Sequence, residues 1–266
     1  MLTLHHSPFS VSSQKVRIVL VEKDLEWNEK IVDLLAGDHL GTAFRYLNDR
    51  AEVPVLEHDG LVLSESWLIS EYLDEVFPRI PLMPTAASDR HAARLWNQRL
   101  ERDIHAASGV LTYAILARPL LLQQSPQTLE TMLQQLPDPS VRAWRASVLA
   151  RGIHAPELKR CIVVYQEFFR RMEAALPDAH AWLAGPSFSM ADIAVLPYVM
   201  RADHLGLGDL MTFEQCPNAR SWYFRMLARP SMHASFVRYL DGETHALMTQ
   251  LVLAAQPDLT RLMQSL

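Results

Sequence analysis

Residues 52–66 read Glu52-Val53-Pro54-Val55-Leu56-Glu57-His58-Asp59-Gly60-Leu61-Val62-Leu63-Ser64-Glu65-Ser66. Two short apolar runs, Val53 to Glu57 and Leu61 to Leu63, flank His58-Asp59-Gly60. Asp-Gly between such runs marks a hairpin, because these residues tolerate the positive φ of a tight turn. Pro54 opens the first strand. Taken alone it reads as an edge proline, since only ~5–6% of X–Pro bonds are cis. A cis bond would instead turn the Val53 backbone outward, where a peptide can pair with it like one more strand. Ser66 to Phe77 then has helical spacing, with Leu68, Ile69, Tyr72 and Leu73. Ser64 or Ser66 can cap that helix, and Glu65 suits its dipole. The same groups can capture an amino-acid head group, with Ser66 and the helix N–H groups on the carboxylate and Glu65 on the ammonium.

Upstream, Met1 to His5 and Trp27 to Val32 are strand candidates. Gln14 to Lys23 is a helix with Val16, Val19 and Leu20 on one face, and a helical stretch lies near His39 to Leu47. The order β-α-β-α-β-β-α describes a small α/β layer structure. Three prolines between Pro78 and Pro84 interrupt it and mark a linker. From Ala87 onward strand signals nearly vanish. Helical candidates run over 89–116, 126–135, 140–151, 156–176, 190–203, 217–228 and 240–266, with a break expected at Pro119. They form an all-helical bundle.

The chain has 266 residues, 49% hydrophobic and 21% charged, which excludes extensive disorder. Cys161 and Cys216 are too few for a disulfide framework and match no metal spacing, so no metal is expected. The apolar run from Ile115 to Leu122 is broken by Arg118-Pro119, and Met1 to His6 lacks the form of a secretory signal. The expectation is a cytoplasmic protein without a membrane partner. Residues 1–80 hold seven Lys/Arg against fourteen Asp/Glu, and the remainder eighteen against sixteen. An acidic first part argues against a nucleic-acid surface.

Two further motifs stand out. Ser7-Pro8-Phe9-Ser10-Val11-Ser12-Ser13-Gln14-Lys15-Val16-Arg17 places several hydroxyls before a helix. A helix N-terminus with a nearby hydroxyl stabilises an anion such as a thiolate, although capping by Ser12 or Ser13 explains the serines equally simply. Phe188-Ser189-Met190-Ala191-Asp192-Ile193 has the spacing of a capping box with a hydrophobic staple, and reads as structural.

Taken in order, Ser10 to Arg17, Val53-Pro54, Glu65-Ser66 and the Ser189–Asp192 box resemble the layout of the cytosolic glutathione S-transferase superfamily, serine type. The resemblance implies an α/β thioredoxin-like glutathione-binding domain over 1–80, a linker over 81–88, and an all-α helical-bundle domain over 89–266 with an insertion around 120–160. By this resemblance Ser10 matches the hydroxyl that bonds the glutathione sulfur, and Ser12 and Ser13 match neighbours that take that role in some subfamilies. Val53 matches the residue whose backbone pairs with the cysteinyl part, and Pro54 the cis proline. Glu65 and Ser66 match the γ-glutamyl clamp. Gly37-Asp38-His39-Leu40 resembles a motif whose histidine contacts the glycyl carboxylate, which points to His39. Where the family often has Asn-Pro-x-Gly, this chain has Asn48-Asp49-Arg50-Ala51. The pattern Pro137-Asp138-Pro139, Trp144-Arg145, Gly152 and Glu157-Leu158 resembles the bacterial β-aryl-etherase and fungal etherase-like transferases.

The implied activity is attack of glutathione on a hydrophobic electrophilic small molecule, aryl ether cleavage included, by a homodimer that uses glutathione as co-substrate. A free thiol has a pKa of about 8.5, and lowering it by ~2 units takes under ~3 kcal/mol. A hydroxyl donating to an anion (~1.5–3 kcal/mol) beside a helix N-terminus (~0.3–1 kcal/mol) is sufficient. Two other readings share the layout: a catalytically silent glutathione-binding or regulatory module, and a glutathione-dependent peroxidase or disulfide reductase. The acceptor pocket is expected between the two domains. His105, Tyr113, Trp144 and Tyr198 are candidates to line it, or simply to pack in the core.

Overall fold

In a computed structural model, residues 1–212 and 214–266 are described. The chain opens with β1 (Leu2–His6), α1 (Val11–Glu22), β2 (Asn28–Ile31), a 3-10 turn at Asp38–Leu40, α2 (Thr42–Leu47), β3 (Val55–His58), β4 (Leu61–Ser64) and α3 (Ser66–Val76). The sheet order is β2-β1-β3-β4. β1 pairs parallel with β2 and antiparallel with β3, and β3 closes a hairpin with β4 through Asp59 and Gly60, both at positive φ. The α/β half of the fold is therefore the one expected from the sequence.

One row of the register positions the site. Ile31 pairs with His6, His5 with Val55, and Val55 with Ser64. The segments that leave β1, β2 and β4, and the one that enters β3, thus gather at a single end of the sheet.

The helical part contains α4 (Ala87–Arg99), α5 (His105–Thr112), α6 (Arg118–Leu121), α7 (Pro126–Gln135), α8 (Pro139–Arg151), α9 (Pro156–Ala175), α10 (Met190–His204), α11 (Pro217–Leu227), α12 (Ser231–Ser235) and α13 (Gly242–Gln264). The break expected at Pro119 is absent. Pro119 lies just after the π-helical turn at Tyr113–Ala117, and that turn, with a second at Leu100–Ile104, joins α4, α5 and α6 into one rod that runs through the proline. That rod is long and apolar enough to cross a membrane, but Trp96, Leu100, Ile104, Leu111 and Ile115 are buried in the bundle core.

α1 begins at Val11 rather than at Gln14, and it is buried on nearly every side. The sequence showed one apolar face, for the sheet and α3. α10 and α12 pack against α1 as well, so Lys15 and Arg17 are enclosed too. The Ser189–Asp192 box is present: Asp192 accepts from the N–H groups of Ser189 and Leu183 and from the Trp222 indole, at 2.8–3.0 Å.

Candidate functional site

Ser10, not Ser12 or Ser13, is the N-cap of α1. Its Oγ accepts from the Ser13 N–H at 3.2 Å. Accepting that bond leaves the hydroxyl proton available to donate. Ser10 is half-buried. Ser13 is wholly buried, with its Oγ accepting from the Ser7 N–H at 3.4 Å. Ser12 lies within hydrogen-bond reach of the buried Tyr198 hydroxyl, whose pKa burial pushes well up. Tyr198 also pairs with His105 Nδ1 at 3.0 Å. His105 is exposed on the helix surface with that one side enclosed. Burial there, followed by the Lys15 ammonium, pulls its pKa below the usual histidine value.

The Val53–Pro54 bond is cis, in place of the ordinary edge proline that Pro54 alone suggests. Just ahead of it, Asn48 Nδ2 donates to the Glu52 carbonyl at 2.8 Å, and Ala51 adopts a φ of 56°. Ala51 stands where the family often has glycine, and it takes the left-handed conformation that glycine makes easy.

Neither Ser64 nor Ser66 caps α3. The N-cap is Glu65, at a φ of 69° and with no side-chain cap bond. A non-glycine residue held there is strained, and such strain gathers at functional sites. The first N–H groups of α3 are thus left without a capping side chain, as an anion site requires. The Glu65 carboxylate is paired with Arg50 at 2.9 Å, and Arg50 also meets Glu52 at 3.4 Å. Sequence reading missed Arg50, because nothing in a polar loop marks the charge that will face the glutamate.

His39 lies on the β2 side, 5% exposed, with its Nδ1 unpartnered. Burial and then the Arg145 guanidinium hold its pKa down at about 4, so the ring is neutral near pH 7. Arg145 comes from α8, within the expected insertion, and lies 5.4 and 5.5 Å over the Tyr113 and Trp144 rings. Those rings meet edge to face at 5.5 Å. Leu136 from the same insertion packs with Leu40 and Ala51. The sequence marked Trp144-Arg145 only as part of the etherase-like pattern, and nothing in it placed the Arg145 charge beside His39.

The sheet register brings the four sets together in the order His39, Ser10, Val53, Glu65-Ser66. Three strand gaps of ~4.8 Å give a front of about 14 Å, and an extended tripeptide spans about 10 Å. The front is long enough for an extended tripeptide. Two open grooves, of about 650 and 680 Å³, flank this front without including Ser10 or Val53. Among the described residues no cluster of three His, Cys, Asp or Glu side chains suits a metal ion.

Residues 4–81 match the family model for the glutathione S-transferase N-terminal domain, and residues 155–225 the model for the C-terminal domain. Protein LigF of Sphingobium sp. strain SYK-6 is 26% identical over 238 residues, covering 85% of this chain and 89% of that protein. Glutathione S-transferase TCHQD of Arabidopsis thaliana is 24% identical over 254 residues, 91% of each chain. The crystal structure of beta-etherase LigF from the same Sphingobium strain superposes with a TM-score of 0.80 at 25% identity, covering 89% of this chain and 99% of that one. A bacterial zeta-class maleyl pyruvate isomerase shares the fold, with a TM-score of 0.63 at 22% identity over 88% of this chain and 96% of that one.

Proposed function

The chain belongs to the glutathione S-transferase family, an enzyme family that uses glutathione as co-substrate, and on that premise we propose that Ser10 activates the glutathione sulfur for attack on a hydrophobic aryl electrophile. Glutathione supplies the nucleophilic sulfur. Ser10 donates its free hydroxyl proton to that sulfur, and the N-terminus of α1 adds its partial positive charge. The Val53 backbone pairs with the cysteinyl unit beside Pro54. The open N-terminus of α3, with Ser66, takes the γ-glutamyl carboxylate, and Glu65 takes the ammonium. His39, with Arg145 behind it, faces the glycyl carboxylate. Ser12 and Ser13 orient the loop rather than touch sulfur, since both are engaged elsewhere.

The observation that carries this reading is the Ser10 hydroxyl, accepting one bond and free to donate, at the sheet end that also holds Val53 and Ser66. Aryl ether cleavage is the favoured reaction within the class. The likeness to a beta-etherase spans most of both chains, and the Tyr113–Trp144 pair offers an aromatic wall. We place residues 1–80 as the glutathione-binding domain and 89–266 as the helical one, in a cytoplasmic homodimer. The exposed Leu68, in the groove between α3 and α4, offers a face for the second copy.

The test is retention on immobilised glutathione followed by turnover of an aryl halide and an aryl ether ketone. Retention with glutathione-dependent release of the phenol is expected. Retention without turnover of either would favour the binding module, and turnover of a hydroperoxide alone would favour the peroxidase.

A further inference from the structure

Three successive carbonyls precede Ser10, and each is held by a buried guanidinium. Arg17, wholly buried on α1, donates from Nη1 to the Ser7 carbonyl at 3.3 Å and from Nη2 to the Pro8 carbonyl at 2.8 Å. Arg201, 4% exposed on α10, donates from Nη2 to the Phe9 carbonyl and from Nη1 to Thr112 Oγ1 at 3.0 Å. The Phe9–Ser10 peptide plane is therefore pinned at both edges, because the Ser10 N–H donates to the Ser7 carbonyl at 3.2 Å. The Ser10 side chain is pinned by the Ser13 N–H. The freedom that remains is rotation of the hydroxyl proton.

We propose that Arg201 is a positioning residue of the sulfur site: reaching across from the helical bundle, it fixes the peptide plane before Ser10 and so aims the hydroxyl. The role rests on the glutathione reading of Ser10. Arg201 reaches three parts of the molecule at once: its own helix α10, the long rod through Thr112, and the loop through Phe9. Seating the bundle on the α/β layer thereby sets the geometry of the loop. Lysine substitutes only in part: it keeps the charge but lacks the planar fork that holds a donor rigidly on the Phe9 carbonyl. Burial lowers the pKa of both guanidinium groups to about 10, so both stay charged near pH 7. Two fixed positive charges behind the loop also favour an anion in front of it.

The test compares Arg201→Gln, Arg201→Lys and Thr112→Val with the wild type in the full chain. Two quantities are read: hydrogen exchange of the Ser7–Ser12 segment in the free protein, and the ultraviolet titration of bound glutathione's thiol. Arg201→Gln should raise exchange at least tenfold and lift the bound thiol's pKa by about one unit, a tenfold loss of the ionised form at a given pH. Arg201→Lys should fall between. Thr112→Val, which removes only the partner within the bundle, should move neither. A folded Arg201→Gln with wild-type exchange and titration would overturn the proposal, as would a Thr112→Val variant that reproduces its shifts. If Arg201→Gln does not fold, wild-type values in Arg201→Lys overturn it alone. A wild type without affinity for glutathione would overturn the glutathione reading and this role together, whatever the exchange shows.

Discussion

Glu65 makes two contributions at residue scale, and they can be separated. Its backbone, at a φ of 69°, opens the N-terminus of α3, and its carboxylate sits beside Arg50. Glu65→Gln keeps the side-chain length and removes the charge. It should weaken glutathione about five- to tenfold, the scale of a partly exposed ion pair of ~1 kcal/mol. An analogue lacking the α-ammonium should bind wild type and variant equally, as read by calorimetry. Equal loss for both ligands would mean that Glu65 shapes the loop rather than meets the ammonium. Ala51 teaches a related lesson: a residue type said nothing of the φ that its surroundings impose.

At the scale of elements, α10 is the piece on which both halves depend. Its start is held by Asp192, fully buried, with four hydrogen bonds to Ser189, Leu183 and Trp222. Asp192→Ala would strand the Trp222 indole and two backbone N–H groups. The expected cost is ~3–5 kcal/mol, seen as a lower urea midpoint at unchanged slope. A loss under ~1 kcal/mol would show that water replaces the carboxylate. This box was legible because capping signals are local: serine, three residues, aspartate, then an apolar run. The start of α1 was less so. The sequence offered Ser12 or Ser13 as the cap, and tertiary packing, with Ser13 buried and Ser12 turned to Tyr198, leaves that place to Ser10 instead. Lys15 and Arg17 were unreadable as buried groups, since their partners Glu101 and Ser235 lie far along the chain.

At the scale of the whole molecule, the α/β half was readable because hairpin, proline and helix-cap signals sit within a few residues of one another. The junction between the halves was not, because it is built from long-range arginine contacts. That junction also makes stability depend on acid. Burial and the neighbouring Arg17 hold His6 at about 4, and burial with Arg145 does the same for His39. Both histidines regain a pKa of about 6.5 on unfolding. Between those values the unfolded chain binds the protons first, so stability rises with pH through the window. The full contribution is present above about pH 6.5 and is lost as pH falls toward 4, by up to ~3 kcal/mol for each residue. Urea midpoints should be flat from pH 8 to 7 and fall steeply from 6.5 to 4.5, with a shallower fall in His39→Gln. Midpoints independent of pH across that window would contradict the burial of neutral rings at the junction.

The chemistry itself comes down to one hydroxyl, and the titration of bound glutathione reads it directly. Ultraviolet absorbance of the thiolate, followed against pH, should give a pKa about 2 units below the free value in the wild type. Ser10→Ala should return it most of the way. Ser10→Gly, which costs the helix cap only a few tenths of a kcal/mol, should do the same with little loss of stability. A bound thiol that titrates identically in the wild type and both variants would contradict the account.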